Sequence, residues 1–205
     1  MRGVLQDIAY MTLDLQIETQ KQMMRTDARS RRRSITADAM EEAATRVAGM
    51  DLGFLDVSPK ILGTYFPVRS EFDCLPLVRR MVNDGWRIAL PVVKQNSPLE
   101  YHEWTFGAPM ENGPFGIPQP VDGELLSPSV VLVPLLAFDR HCFRLGYGGG
   151  HYDRTLETLR GQHQVIAIGL AFDIQEVSEV PVCSYDQQLD WILTPSGAIP
   201  AKQTP

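Results

Sequence analysis

At 205 residues and 44% hydrophobic content, the chain is long enough to bury one well-filled core, and a single domain is the default. Its net charge of −6 argues against broad affinity for nucleic acid. No apolar run approaches the length needed to cross a bilayer, which excludes a helical membrane protein. Cys74, Cys142 and Cys183 are widely spaced without a CxxC pair, the pattern of a reducing compartment with no structural zinc. The first residues lack a basic-then-apolar leader, and Asp7, Asp14 and Glu18 argue against a transit peptide, so the cytoplasm is the expected location.

Residues 1–15 have no clear partner in the rest of the chain and are expected to form an extension. The pattern then predicts a helix over 16–33. Within it Lys21, Arg25 and Arg29 recur every four residues and share one face, while Arg31, Arg32 and Arg33 read as a solvated run. Ser34-Ile-Thr36 is a capping signal for a second helix through 47. A strand over 60–66 precedes a helix over 75–83 that ends at Asp84-Gly85, and further strands are expected over 86–93 and 100–106. The Gly- and Pro-rich stretch 111–129 reads as irregular.

A β-branched run at 130–136 reads as a buried central strand. Residues 144–154 follow as Arg-Leu-Gly-Tyr-Gly-Gly-Gly-His-Tyr-Asp-Arg, and a helix is expected over 151–160. Gly146, Gly148, Gly149 and Gly150 let the backbone approach an anion, and successive N–H groups form a nest beside the helix start. Asp153 stands where a carboxylate can hold Mg²⁺ against phosphates, and Lys21 and Arg25 offer cations for a polyphosphate. The stretch lacks the Lys-Ser/Thr ending of a Walker A loop and does not match the dinucleotide fingerprint. Strands over 165–172 and 191–194 complete the chain. Strands separated by helices imply an α/β fold with a mainly parallel sheet covered on both faces, its ligands beyond the strands' carboxyl ends.

The 144–154 stretch, preceded by Val133-Pro-Leu-Leu-Ala-Phe-Asp139, resembles the signature of the 5-formyltetrahydrofolate cyclo-ligases, also called methenyltetrahydrofolate synthetases. The likeness covers roughly 20–195. It includes Lys21-Gln-Met-Met-Arg25, Tyr65-Phe-Pro-Val-Arg-Ser-Glu71, Leu90-Pro-Val-Val93, Phe115-Gly-Ile-Pro-Gln-Pro120 and Pro181-Val-Cys-Ser-Tyr-Asp-Gln-Gln-Leu-Asp190.

The resemblance implies a three-layer α/β/α fold, similar to ribose-5-phosphate isomerase and the CoA transferases. One domain would span 16–198, with an extension at 1–15 and a tail at 199–205. It further implies an ATP- and Mg²⁺-dependent ligase that closes 5-formyltetrahydrofolate to 5,10-methenyltetrahydrofolate. Lys21, Arg25, Arg144 and Tyr152 would carry catalysis. ATP would lie against Lys21, Arg25, Arg144, Leu145, Gly146, Tyr147, Gly148, Gly149, Gly150, His151 and Tyr152. The folate would meet Phe66, Glu71, Tyr147, Gly148, Gly149, Gly150 and His151, and Asp153 and Asp186 would hold Mg²⁺. Its partners would be these small molecules alone, without nucleic acid or membrane, with a monomer expected and a dimer the alternative.

His151 stands where relatives often carry an aromatic residue, and Tyr185 where a His or Trp often precedes the second acid. Phe115 and Tyr152 join Phe66 as candidates to line an apolar pterin slot, and Trp104 and Trp191 read as packing residues. The cysteines read as structural, because none has a flanking base or cation. Arg79, Arg80 and Arg87 are candidates for an acidic tail of the folate. Two alternatives stay open: a non-catalytic nucleotide- or RNA-binding relative, and a sugar-phosphate isomerase-like enzyme.

Overall fold

The computed structural model describes residues 2–57, 59–95 and 97–202. Helix α1 (Arg2–Arg33) is followed by α2 (Ala37–Ala48), β1 (Ile61–Gly63), α3 (Leu75–Asn83), β2 (Arg87–Val92) and β3 (Glu100–Glu103). A hairpin of β4 (Met110–Asn112) and β5 (Pro118–Pro120) leads to β6 (Leu125–Leu126) and β7 (Val130–Pro134). A second hairpin, β8 (Ala137–Phe138) with β9 (Arg144–Leu145), delivers the glycine loop to α4 (His151–Arg160). The chain then forms β10 (Ile166–Leu170), β11 (Trp191–Thr194) and β12 (Gly197–Pro200).

The helix boundaries follow from local chemistry. Thr36 caps α2 by accepting the Ala39 N–H at 3.3 Å, and Asp73 accepts the first N–H of α3, that of Leu75, at 2.9 Å. Helix α3 stops in a Schellman motif. Gly85, at φ 86°, donates to Val82, and Trp86 donates back to Met81.

Eight strands form one sheet in the order β12-β11-β10-β7-β1-β2-β3-β6. The central strands β11, β10, β7, β1 and β2 are parallel, while β12, β3 and β6 add antiparallel edges. Alternation along the strands separates two cores. Leu62, Ile88, Leu90, Leu132, Ile168 and Leu170 pack with α2 and α3 through Ala44, Val47, Leu77 and Met81. Ile61, Ala89, Val131, Val133, Ala167 and Ile192 face Leu156 and Leu159 of α4. The result is the expected three-layer α/β/α architecture with a mainly parallel sheet.

Three expectations need correcting. Residues 2–15 continue α1 without a break, so the helix is about twice the expected length; residue 1 lies outside the described residues. The stretch 111–129 is not wholly irregular, since it holds most of the β4–β5 hairpin and all of β6. Prolines at 118 and 120 fit there because the hairpin is only two strands wide. Residues 199 and 200 are not tail but part of β12, where Ile199 pairs with Ile192. Residues 203–205 lie outside the described residues.

Candidate active site

Helix α1, in its described side chains, joins neither of the two cores on the sheet's faces. It lies across the segment that follows the carboxyl end of β7, with Ala28 packed on Leu136, Ala137, Leu145 and Val180. Among its described side chains, those it buries are Lys21, Arg25, Ala28 and Arg32. Their spacing of four, three and four residues is one helical stripe, so three cations lie along a single inward line.

Each cation meets a different part of the site. Lys21 Nζ pairs with Asp186 at 2.5 Å and stands 5.5 Å from the centre of the Tyr185 ring. Arg25 donates through Nε to the Gly146 carbonyl at 3.1 Å, and Glu18 at 3.4 Å is its nearest carboxylate. Arg32 donates to the Tyr147 hydroxyl at 2.8 Å, the Leu135 carbonyl at 3.2 Å and the Ser70 hydroxyl at 3.2 Å. Arg29, expected on this face, is not part of the buried stripe. It lies about 80° around the helix from Lys21, whereas Arg32 lies about 20° away.

The glycine loop joins β9 to α4. Gly148 and Gly150 have φ values of 101° and 62°, where a side chain is strained, and Gly148 lies against the Arg25 guanidinium, 3.4 Å from where a Cβ would stand. Arg154 straps the loop from inside α4 by donating to the Gly149 carbonyl at 2.8 Å. The first turn of α4 points its free N–H groups toward the same space.

Asp153, in that first turn, accepts Arg144 Nη2 at 2.8 Å and the Gln187 N–H at 3.0 Å through the same oxygen. Asp186 accepts Lys21 and the Cys183 N–H through one oxygen as well. The Asp153–Gln187 bond therefore docks the 183–190 segment on α4 and brings the two acids to one locale. Arg144, with its side chain 5% exposed, also holds the Gln187 carbonyl at 2.5 Å.

No cluster of three or more acids, histidines or cysteines forms among the described residues. A cation held here would need phosphate oxygens to complete its shell. Asp153 and Asp186 fit that role, since the second oxygen of each accepts no hydrogen bond among the described residues.

Phe66 and Glu71 lie beyond the carboxyl end of β1. Glu71 accepts the Val68 N–H at 3.0 Å, and Phe66 meets the edge of Trp104 at 6.4 Å between ring centres. The Tyr152 phenol is held far above its ordinary range by burial, then by its neighbours Tyr101, Glu71 and Cys74. It is a hydrogen-bond donor at neutral pH and not a base. Burial, then the Arg154 charge, lowers the His151 pKa, so its imidazole is neutral at pH 7.

Several residues sit elsewhere than their motifs suggested. Leu145 is buried in the core with its carbonyl taken by the Leu136 N–H, which leaves its side chain nothing to offer a nucleotide. Phe115 is 78% exposed at the tip of the β4–β5 hairpin, at φ 62°, and lines no slot. Arg87 opens β2 at the opposite end of the sheet and is held by Glu103 and Glu124. Arg80 is engaged by the Ala48 and Met50 carbonyls, and Arg79 lies over the Phe106 ring.

All three cysteines are free and buried. Burial pushes the Cys74 and Cys142 thiols up to about 12, leaving both protonated at neutral pH. Cys183 lies 3.8 Å from Lys21 Nζ. Sequence reasoning missed Arg32, Ser70 and Gln187. Of these, only Arg32 carried a signal, its place in the four-three-four stripe.

Known proteins resemble this chain along most of its length. The model of the 5-formyltetrahydrofolate cyclo-ligase family matches residues 17–195. A 5-formyltetrahydrofolate cyclo-ligase of Mycolicibacterium smegmatis is 32% identical over 191 residues, covering 88% of this chain and 96% of the relative. One from Escherichia coli K12 is 30% identical over 179 residues, covering 82% and 96%. The NMR structure of Aquifex aeolicus 5,10-methenyltetrahydrofolate synthetase superposes with a TM-score of 0.72 at 25% identity, covering 90% of this chain and 94% of that one. A Mycoplasma pneumoniae synthetase structure, at 20% identity and a TM-score of 0.68, shares the fold. With its cations, glycine loop and acids at one end of a matching fold, this chain belongs to the 5-formyltetrahydrofolate cyclo-ligase family.

Proposed function

We propose that this chain converts 5-formyltetrahydrofolate to 5,10-methenyltetrahydrofolate, with Mg²⁺ bound and ATP consumed to ADP and phosphate. The observation that carries this reading is a glycine loop held by Arg25 beside two paired acids, Asp153 with Arg144 and Asp186 with Lys21. Cyclisation must remove the formyl oxygen, and hydroxide is a poor leaving group. Transfer of the γ-phosphoryl group to that oxygen makes an iminium phosphate, which N10 attacks before phosphate departs. Such a transfer asks mainly for positioning and charge neutralisation, which this site supplies without a protein nucleophile.

In this reading Lys21 and Arg25 hold the phosphates, and the N–H groups of residues 146–150 with the start of α4 wrap them. Arg144 orients Asp153 and stands ready for the developing charge, and Tyr152 donates a hydrogen bond. Glu71 accepts from the pterin's amino and ring N–H groups, and Phe66 packs on its apolar surface. Asp153 and Asp186 would hold Mg²⁺, which when bound neutralises charge on the phosphates. The chain would act as one catalytic domain, as a monomer in the cytoplasm, on small molecules alone. No helix among the described residues is long and apolar enough to cross a membrane.

The test is to mix pure protein with ATP, Mg²⁺ and 5-formyltetrahydrofolate and follow the absorbance of the methenyl product. Product formation that stops when either ATP or Mg²⁺ is withheld is expected. Absence of product with all three present overturns the reading.

A further inference from the structure

We infer that Arg32 is a positioning residue that fastens Tyr147 of the glycine loop against the Glu71 segment, setting the carboxylate that the folate meets. The inference rests on the proposed folate reaction for its substrate, but its geometry stands apart. Arg32 is 4% exposed and forms no ion pair among the described residues. A buried guanidinium with only neutral acceptors is costly, so packing alone does not explain its presence. Its three partners belong to three different segments: Ser70 beside Glu71, Leu135 after β7, and Tyr147 in the glycine loop.

The donor and acceptor inventory sets the direction of the chain. Arginine only donates, so Tyr147 accepts from it, and the phenolic O–H is turned toward another acceptor. The Glu71 carboxylate is the neighbouring one. After burial, Glu71 is the main influence pushing the Tyr147 phenol up, and Arg32 opposes it. Arg32 ties Ser70 and Tyr147 together, and the adjoining Glu71 accepts the Val68 N–H. Its remaining acceptor edge is then fixed for paired N–H donors of a ligand. Arg25 serves the same loop differently, because it holds the Gly146 carbonyl on the side where phosphates are proposed.

Steady-state kinetics on the full chain, with Arg32→Gln and Tyr147→Phe alone and together, tests this. Each single variant should raise the KM for 5-formyltetrahydrofolate roughly tenfold, a larger change than in its KM for ATP. The double variant should be little worse than either single one, as for two members of one chain of bonds. Amide hydrogen exchange over 146–150 in the ligand-free protein should be faster in both variants. An unchanged folate KM, additive effects, or exchange equal to wild type overturns the inference. If Arg32→Gln fails to fold, Tyr147→Phe carries the test, since that side chain is 41% exposed and loses only a hydroxyl. If wild-type protein makes no product, the proposed reaction falls, and the exchange comparison still decides the fastening.

Discussion

At the carboxyl end of the sheet Lys21, Arg25 and Arg32 are 4–8% exposed; Arg32 forms no ion pair among the described residues, and the Glu18 carboxylate that Arg25 meets at 3.4 Å is itself half-exposed. At the amino end Arg87 lies on the surface between Glu103 and Glu124, and Arg80 is held by two backbone carbonyls beside a cleft of about 580 Å³. Exposed pairs such as that of Arg87 contribute little and are screened by salt. Buried cations left short of anions act over distance in a low dielectric, and they favour whatever anion enters. The position of buried charge, more than cavity volume, marks the proposed working end of this molecule.

The strongest way to break that contrast is Asp153→Asn. Arg144 would lose its carboxylate, and Mg²⁺ one of its two proposed ligands. Turnover should fall on the order of a hundredfold or more, while circular dichroism reports an intact fold. Wild-type turnover at saturating Mg²⁺ would remove Asp153 from the site. Next comes Arg25→Ala. Losing a guanidinium–phosphate pair costs roughly 2–3 kcal/mol, so the KM for ATP should rise on the order of thirtyfold or more, with a smaller change for folate. A shift confined to the folate KM would place this end of α1 against the wrong ligand.

A subtler probe is pH. The folded His151 pKa lies below its ordinary 6.5, so the unfolded chain takes up this proton first as pH falls. Stability from the neutral imidazole is complete above that value and is lost below it, down to the folded pKa. His151→Phe should therefore flatten the decline in melting temperature between about pH 7.5 and 5.5. An unchanged slope would mean that the loop does not shield the ring.

Smaller still is the effect expected of Cys74→Ser, Cys142→Ser and Cys183→Ser. Turnover should change less than about threefold, because a phosphorylated substrate needs no thiolate. A large fall in kcat with normal binding and melting temperature would mean that a covalent enzyme intermediate forms. Smallest of all is Arg87→Ala at the amino end, where turnover should not move in any assay that registers Arg25→Ala. If both variants lose activity alike, the contrast between the two ends fails.

Local rules make much of this molecule legible in its sequence. Thr36, Asp84-Gly85 and the glycines before His151 mark helix ends through capping and backbone freedom, and helices 75–83 and 151–160 match α3 and α4 residue for residue. The β-branched and aliphatic runs of β7 and β10 read as buried strands and that of β11 as a short one, and all three are strands of the sheet. The likeness to a folate ligase rests on short ordered motifs, which a linear chain displays directly.

Partnership across the chain is a different matter. Arg32 reads as solvated because three arginines in a row look like surface, and only the docking of α1 on Leu136 and Val180 turns it inward. Gln187 and Ser70 have no local signature, since their bonds to Asp153 and Arg32 join segments 34 and 38 residues apart. Phe115 fails in the other direction. A residue that reads as a pocket wall is carried to the tip of a hairpin too short to predict. Spacing sets which residues share a face of a helix or strand, whereas the element that meets that face is chosen by the packing of the whole chain.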